Sequence, residues 1–166
     1  MLNDNLDKEL ERAVCTGTLE EVKTLLTAGA NVNLRVKWNS DTLLHITCSV
    51  DITKELLLRG AKVNALNQYR ETPLHSAITL GKKLELVREL LKHGANVNAT
   101  NRKGNTALNH AVKKRYTNLE VVKVLLEYGA DINIRDRERR LYDNYSSSLD
   151  NALSDLECAK LLIKFT

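Results

Sequence analysis

Aromatic residues are scarce in this chain: Phe, Trp and Tyr make up 4% of 166 residues, with one Trp and one Phe. Proline is nearly absent at 1, and glycine is low at 7. These shortages exclude collagen-like and Pro/Gly-rich low-complexity chains. The three cysteines, Cys15, Cys48 and Cys158, are odd in number and form no C-x-x-C pair. Neither a zinc site nor a disulfide framework is expected from them. No apolar run of about 18 residues occurs, so no membrane-spanning helix is expected. The polar, acidic start, Met1 to Leu10, reverses the charged-then-apolar order of a signal peptide. The expected setting is reducing and intracellular: cytoplasmic, or a host cell if the chain is a bacterial or viral effector. What is present is 43% hydrophobic residue, 28% charged residue and a formal charge of only +4. That balance describes one folded, Leu-, Val- and Ala-rich helical domain rather than a disordered chain.

The chain repeats itself. Gly-Ala recurs at 29–30, 60–61, 94–95 and 129–130. Each copy follows a Leu-Leu pair and precedes Val32-Asn33, Val63-Asn64, Val97-Asn98 or Ile132-Asn133. The third copy shows what one unit builds. Thr72 is placed to cap a helix, and Pro73 sits where a missing N–H costs nothing. Leu74, Ala77 and Ile78 then share one helical face, and Gly81 ends the helix. A second helix is expected from Leu84 to Lys92, burying Leu84, Val87, Leu90 and Leu91 and stopping at Gly94. Two such short helices cannot bury their apolar faces alone, so the copies must stack.

Thr72-Pro73-Leu74-His75-Ser76-Ala77, followed by Leu90-Leu91-Lys92-His93-Gly94-Ala95-Asn96-Val97-Asn98, resembles the ankyrin repeat family. The resemblance runs from about residue 10 to 136. It implies an all-α solenoid of stacked antiparallel helix pairs with projecting β-turn fingers. It also implies protein binding through a concave face and no catalysis. On this pattern residues 1–166 form a single domain. Residues 1–36 read as an N-terminal capping repeat, 37–67 as a shortened second repeat, 68–101 as the third and 102–136 as the fourth. Residues 137–148 read as an inserted loop and 149–166 as a degenerate C-terminal cap. In the family pattern His45 and His75 bond a Thr hydroxyl and backbone, and Cys15 and Cys48 fill core or groove. The resemblance further makes Asn33, Asn64, Asn98 and Asn133 candidates for asparaginyl hydroxylation, although an Asn stabilising its own turn is the stronger expectation.

Individuality should lie where the copies depart from one another. Between Thr42 and Leu56 the second copy is short, and Cys48-Ser49-Val50-Asp51 must turn tightly without Gly. The fourth copy is long in Lys113-Lys114-Arg115-Tyr116-Thr117-Asn118. At the finger turn the fourth copy has Gly104, whereas the third has Arg70, where a left-handed backbone would be costly. Trp38 is expected at a finger tip, either exposed as a binding anchor or packed on its own finger.

Charge is concentrated more than the total suggests. The window from 102 to 115 holds Arg102, Lys103, Lys113, Lys114 and Arg115 and no acid, and Arg137 and Arg139 extend it. With Trp38, Tyr69, Arg70 and Leu80 these residues make the candidate partner-binding surface, suited to an acidic protein segment. A nucleic-acid-binding accessory protein using the basic surface is the alternative, and a purely structural spacer a third reading. Few interleaved aromatics argue against nucleic acid. The histidines His45, His75, His93 and His110 show no metal-ligand spacing, and no nucleophile, phosphate loop or paired carboxylate stands out. The expectation is a monomeric, non-catalytic interaction module with no cofactor, no metal and no small-molecule substrate.

Overall fold

A computed structural model describes residues 2–81, 83–113, 118–134 and 156–164. Within them the chain is helical: α1 (Leu2–Thr16), α2 (Leu19–Thr27), α3 (Leu43–Ile46), α4 (Val50–Leu58), α5 (Pro73–Thr79), α6 (Leu84–Lys92), α7 (Ala107–Lys113), α8 (Leu119–Glu127) and α9 (Leu156–Ile163). No strand occurs among the described residues; one isolated bridge joins Arg35 and Thr42. The inserted loop 137–148, residues 114–117 and the start of the C-terminal cap lie outside the described residues.

The helices stack in two rows. In one row α1 packs on α3, α3 on α5 and α5 on α7. In the other α2 packs on α4, α4 on α6, α6 on α8 and α8 on α9. The core follows the repeat. Leu10, Ala13 and Val14 of α1 correspond to Leu74, Ala77 and Ile78 of α5 and to Leu108, Ala111 and Val112 of α7, and all are buried. Burial of these small and branched side chains between layers drives stacking, at about 25 cal/mol per Å² removed from water. At the far end Cys158 and Leu162 of α9 are fully buried in the same core. The buried stripe of α6 is Leu86, Val87, Leu90 and Leu91. Leu84, expected in that stripe, is only partly buried because it starts the helix, and Leu86 takes its place.

The shortened second copy loses mostly helix. α3 has 4 residues where α5 has 7. Thr47 occupies the place of Ala77 and is fully buried. Ser49 then supplies the turn that no glycine provides, its Oγ accepting the Ile52 N–H at 3.3 Å to start α4. Cys48 and Cys15 are exposed, contrary to the expectation that they fill core or groove. Each lies at the end of a first-row helix, past the residues that face the core.

Three finger turns place their fourth residue in the left-handed region: Ser40 at φ 60°, Arg70 at 59° and Gly104 at 79°. The turn is therefore conserved in shape between copies while its residue changes. A side chain with a Cβ is strained there. Arg70→Gly and Ser40→Gly are each expected to raise unfolding stability by about 0.5–1 kcal/mol in urea titrations. Gly104→Arg should lower it by a similar amount.

Candidate functional site

The fingers are built by asparagines. Asn67 Oδ1 accepts the N–H groups of Tyr69 and Glu71, both at 2.9 Å. Asn101 Oδ1 accepts those of Lys103 and Asn105, both at 3.0 Å. Each amide then reaches back to the preceding finger: Asn67 Nδ2 donates to Asp41 at 2.8 Å, and Asn101 Nδ2 to Glu71 at 3.2 Å. Neighbouring fingers are also joined through backbone, Gln68 N–H to Asn39 O and Arg102 N–H to Tyr69 O, each 2.9 Å. Sequence reasoning missed Asn67 and Asn101, although aligning one copy on the next places them in register.

A histidine ladder runs beneath the fingers. His45 Nε2 donates to Glu71 O at 3.0 Å, and His75 Nε2 to Asn105 O at 3.0 Å. A carbonyl only accepts, so Nε2 carries the proton and Nδ1 is the acceptor. Nδ1 of His45 takes the Thr42 N–H at 3.0 Å and hydroxyl at 2.9 Å; His75 treats Thr72 alike, at 3.2 and 2.9 Å. Each histidine thus caps its own helix and clamps the next copy. In the fourth copy Asn109 stands in, its Oδ1 accepting the Thr106 N–H and hydroxyl at 2.8 Å each. Its shorter side chain reaches Ile134 O only at 3.5 Å. Burial drives the His75 pKa down to about 4, with the neighbouring His110 ring adding to the effect and the Asn105 carbonyl opposing it.

A second ladder follows each Gly-Ala. Asn64 Nδ2 donates to Gly94 O at 2.9 Å while its Oδ1 accepts the Asn96 N–H at 2.7 Å. Asn33 makes the same pair with Gly60 O and the Lys62 N–H, and Asn98 with Gly129 O and the Asp131 N–H. These asparagines tie one copy to the next rather than stabilising their own turns, as the sequence suggested. In the N-terminal copy Asp7 of α1 takes this part, accepting the Asn31 N–H at 2.7 Å.

With the fingers fixed, their tips are left to the surface. Trp38 is 91% exposed, standing clear of its own finger, and Tyr69 is 53% exposed. Arg70, Arg102 and Lys103 are exposed on the second and third fingers, and Leu80 is exposed at the end of α5. Trp38, Tyr69, Arg70, Arg102 and Lys103 therefore share consecutive, hydrogen-bonded finger tips. The backbone of Lys113 closes α7. Lys114, Arg115, Arg137 and Arg139 lie outside the described residues. The finger carboxylates are held inward: Asp41 and Glu71 accept the Asn67 and Asn101 amides. No group of His, Cys, Asp and Glu arranged to hold a metal occurs among the described residues. No helix there is long and apolar enough to cross a membrane.

A family model described as ankyrin repeats (3 copies) matches residues 10–101 and 49–136. A search of the curated proteins finds no match.

Two outcomes follow from the ladders. A histidine whose pKa falls on folding contributes stability that is whole above pH 6.5 and lost as pH falls through 4. His75 should therefore cost about 3 kcal/mol over that window, measured by urea unfolding against pH. His75→Asn, copying Asn109, should fold and flatten that part of the profile. Asn64→Ala should cost about 1–2 kcal/mol at every pH, because it removes the amide that bonds the next copy.

Proposed function

Because the chain belongs to the ankyrin repeat family, whose members are generally protein-interaction modules and typically non-catalytic, we propose that it is a protein-binding adaptor, scaffold or effector. In this reading the fingers and first-row helices take an acidic segment of another protein. The observation that carries it is the division of charge on the fingers. Acids at their bases are held there by amide hydrogen bonds. The tips present Lys37, Arg70, Arg102 and Lys103 with an exposed Trp and Tyr. Exposed aromatic and arginine side chains are the types that dominate interface energetics once desolvated. Cations around them steer an acidic partner and make association salt-dependent. Lys113, Lys114, Arg115, Arg137 and Arg139 extend the same surface in this proposal. In this proposal the chain acts as a monomer.

The test is quantitative capture of partners from cell extract by the wild type and two charge-reversed variants, Arg70→Glu/Arg102→Glu and Lys113→Glu/Lys114→Glu/Arg115→Glu. The finger variant should lose at least tenfold in recovered partner, and Trp38→Ala several-fold. Wild-type recovery should fall as salt is raised from 50 to about 300 mM. Undiminished recovery by all three folded variants would place the binding surface elsewhere.

A further inference from the structure

Six arginines lie among the described residues, and four are engaged. Arg12 pairs with Glu21 at 2.8 Å, Arg59 with Glu55 at 2.9 Å and Arg88 with Glu127 at 3.9 Å. Arg35 Nη1 donates to the carbonyls of Ser40 and Leu66 at 2.9 and 2.8 Å. The other two, Arg70 and Arg102, make no hydrogen bond or ion pair from their guanidinium groups to the described residues, and both are exposed. They are also neighbours. The Arg102 N–H bonds the carbonyl of Tyr69, the residue before Arg70, at 2.9 Å. That contact sets the two backbones side by side, about 5 Å apart, as in adjacent strands.

Two features make this pair more than surface charge. The carboxylate next in sequence to Arg70, Glu71, is held by the Asn101 amide and pairs with neither guanidinium among the described residues. Arg70 also occupies its place against steric preference, at φ 59° where the following finger has glycine. The same turn holds Ser40 left-handed in the preceding finger, so the strain belongs to the turn and what is particular to this finger is the arginine that bears it.

We propose that Arg70 and Arg102 form a two-forked site for paired carboxylates on an extended acidic segment of a partner protein. This rests on the protein-binding reading above. Each guanidinium matches one carboxylate in a bidentate pair. In an extended chain, side chains at i and i+2 point the same way and lie about 6.6 Å apart, a gap that two long guanidinium arms on backbones about 5 Å apart can span. Acids at i and i+1 point to opposite faces and offer only one to the pair. The half-exposed ring of Tyr69 lies next to the site and covers the residue between the acids.

The probes are three fluorescein-labelled nine-residue peptides in a Gly/Ser background: two Glu at i and i+2, two Glu at i and i+1, and a single Glu. Binding is read by fluorescence anisotropy at 50 mM salt, with oligo-dT as a nucleic-acid comparison. The i,i+2 peptide should bind at least fivefold tighter than the i,i+1 peptide of the same composition. Arg70→Gly and Arg102→Gln should each remove that difference, and Arg70→Gly should do so while unfolding at higher urea. Equal binding of the two-Glu peptides, or a preference that survives both variants, overturns the paired site. If acidic peptides bind equally and Trp38→Ala abolishes them, the paired site fails and the finger surface stands. Binding of oligo-dT alone overturns both.

Discussion

Everything in this protein depends on polar side chains that cross from one copy to the next. The helices are short, 4 to 9 residues in the stacked copies that follow α1, and none buries its apolar face without a neighbour. Apolar burial supplies the drive to stack but is non-directional, so it fixes register less sharply than hydrogen bonds do. The register comes from His45 and His75 on the next finger's carbonyl and from Asn33, Asn64 and Asn98 on the next Gly-Ala turn. These bonds are directional, and the groups they satisfy would otherwise be partly withdrawn from water. A histidine serves well here because one ring accepts on one side and donates on the other. That arrangement also ties it to the neutral state.

With the frame held from within, the finger tips carry little structural duty. The turn keeps its left-handed residue whether that residue is Ser40, Arg70 or Gly104. The tips are thereby open to side chains that the frame does not need, and in the proposed reading the nearly bare Trp38 is one of them. The acids that would dilute the tip charge sit instead at the finger bases, bonded to Asn67 and Asn101. The residues that hold the frame and those proposed to bind a partner are thus separate, though only a few positions apart.

Much of the fold was legible because repetition multiplies weak signals. Thr72, Pro73 and Gly94 read as helix start and stop on local grounds, and three further copies in register removed the ambiguity. The Thr–His clamp was readable in part: the cap lies within one copy, but the bond to the next copy's carbonyl spans 26 and 30 residues. The asparagine ladders were misread for the same reason, since a side chain's own turn is the nearest partner in sequence but not in space. Leu84 lost its buried place to Leu86 because the first residue of a helix leaves the stripe. At the candidate site, sequence identified Trp38, Tyr69, Arg70, Arg102 and Lys103. It gave no sign that the Arg102 N–H bonds the carbonyl of Tyr69, beside Arg70, since that depends on how consecutive fingers pair.

The central claim is that the finger tips, not the second-row helices, meet the partner. Amide hydrogen exchange of the chain with and without its captured partner addresses that directly. Exchange should slow in peptides covering Lys37 to Asp41, Gln68 to Glu71 and Arg102 to Asn105. It should stay unchanged along Leu84–Lys92 and Leu119–Glu127. Protection confined to those helices, with the finger peptides exchanging as before, would contradict that claim.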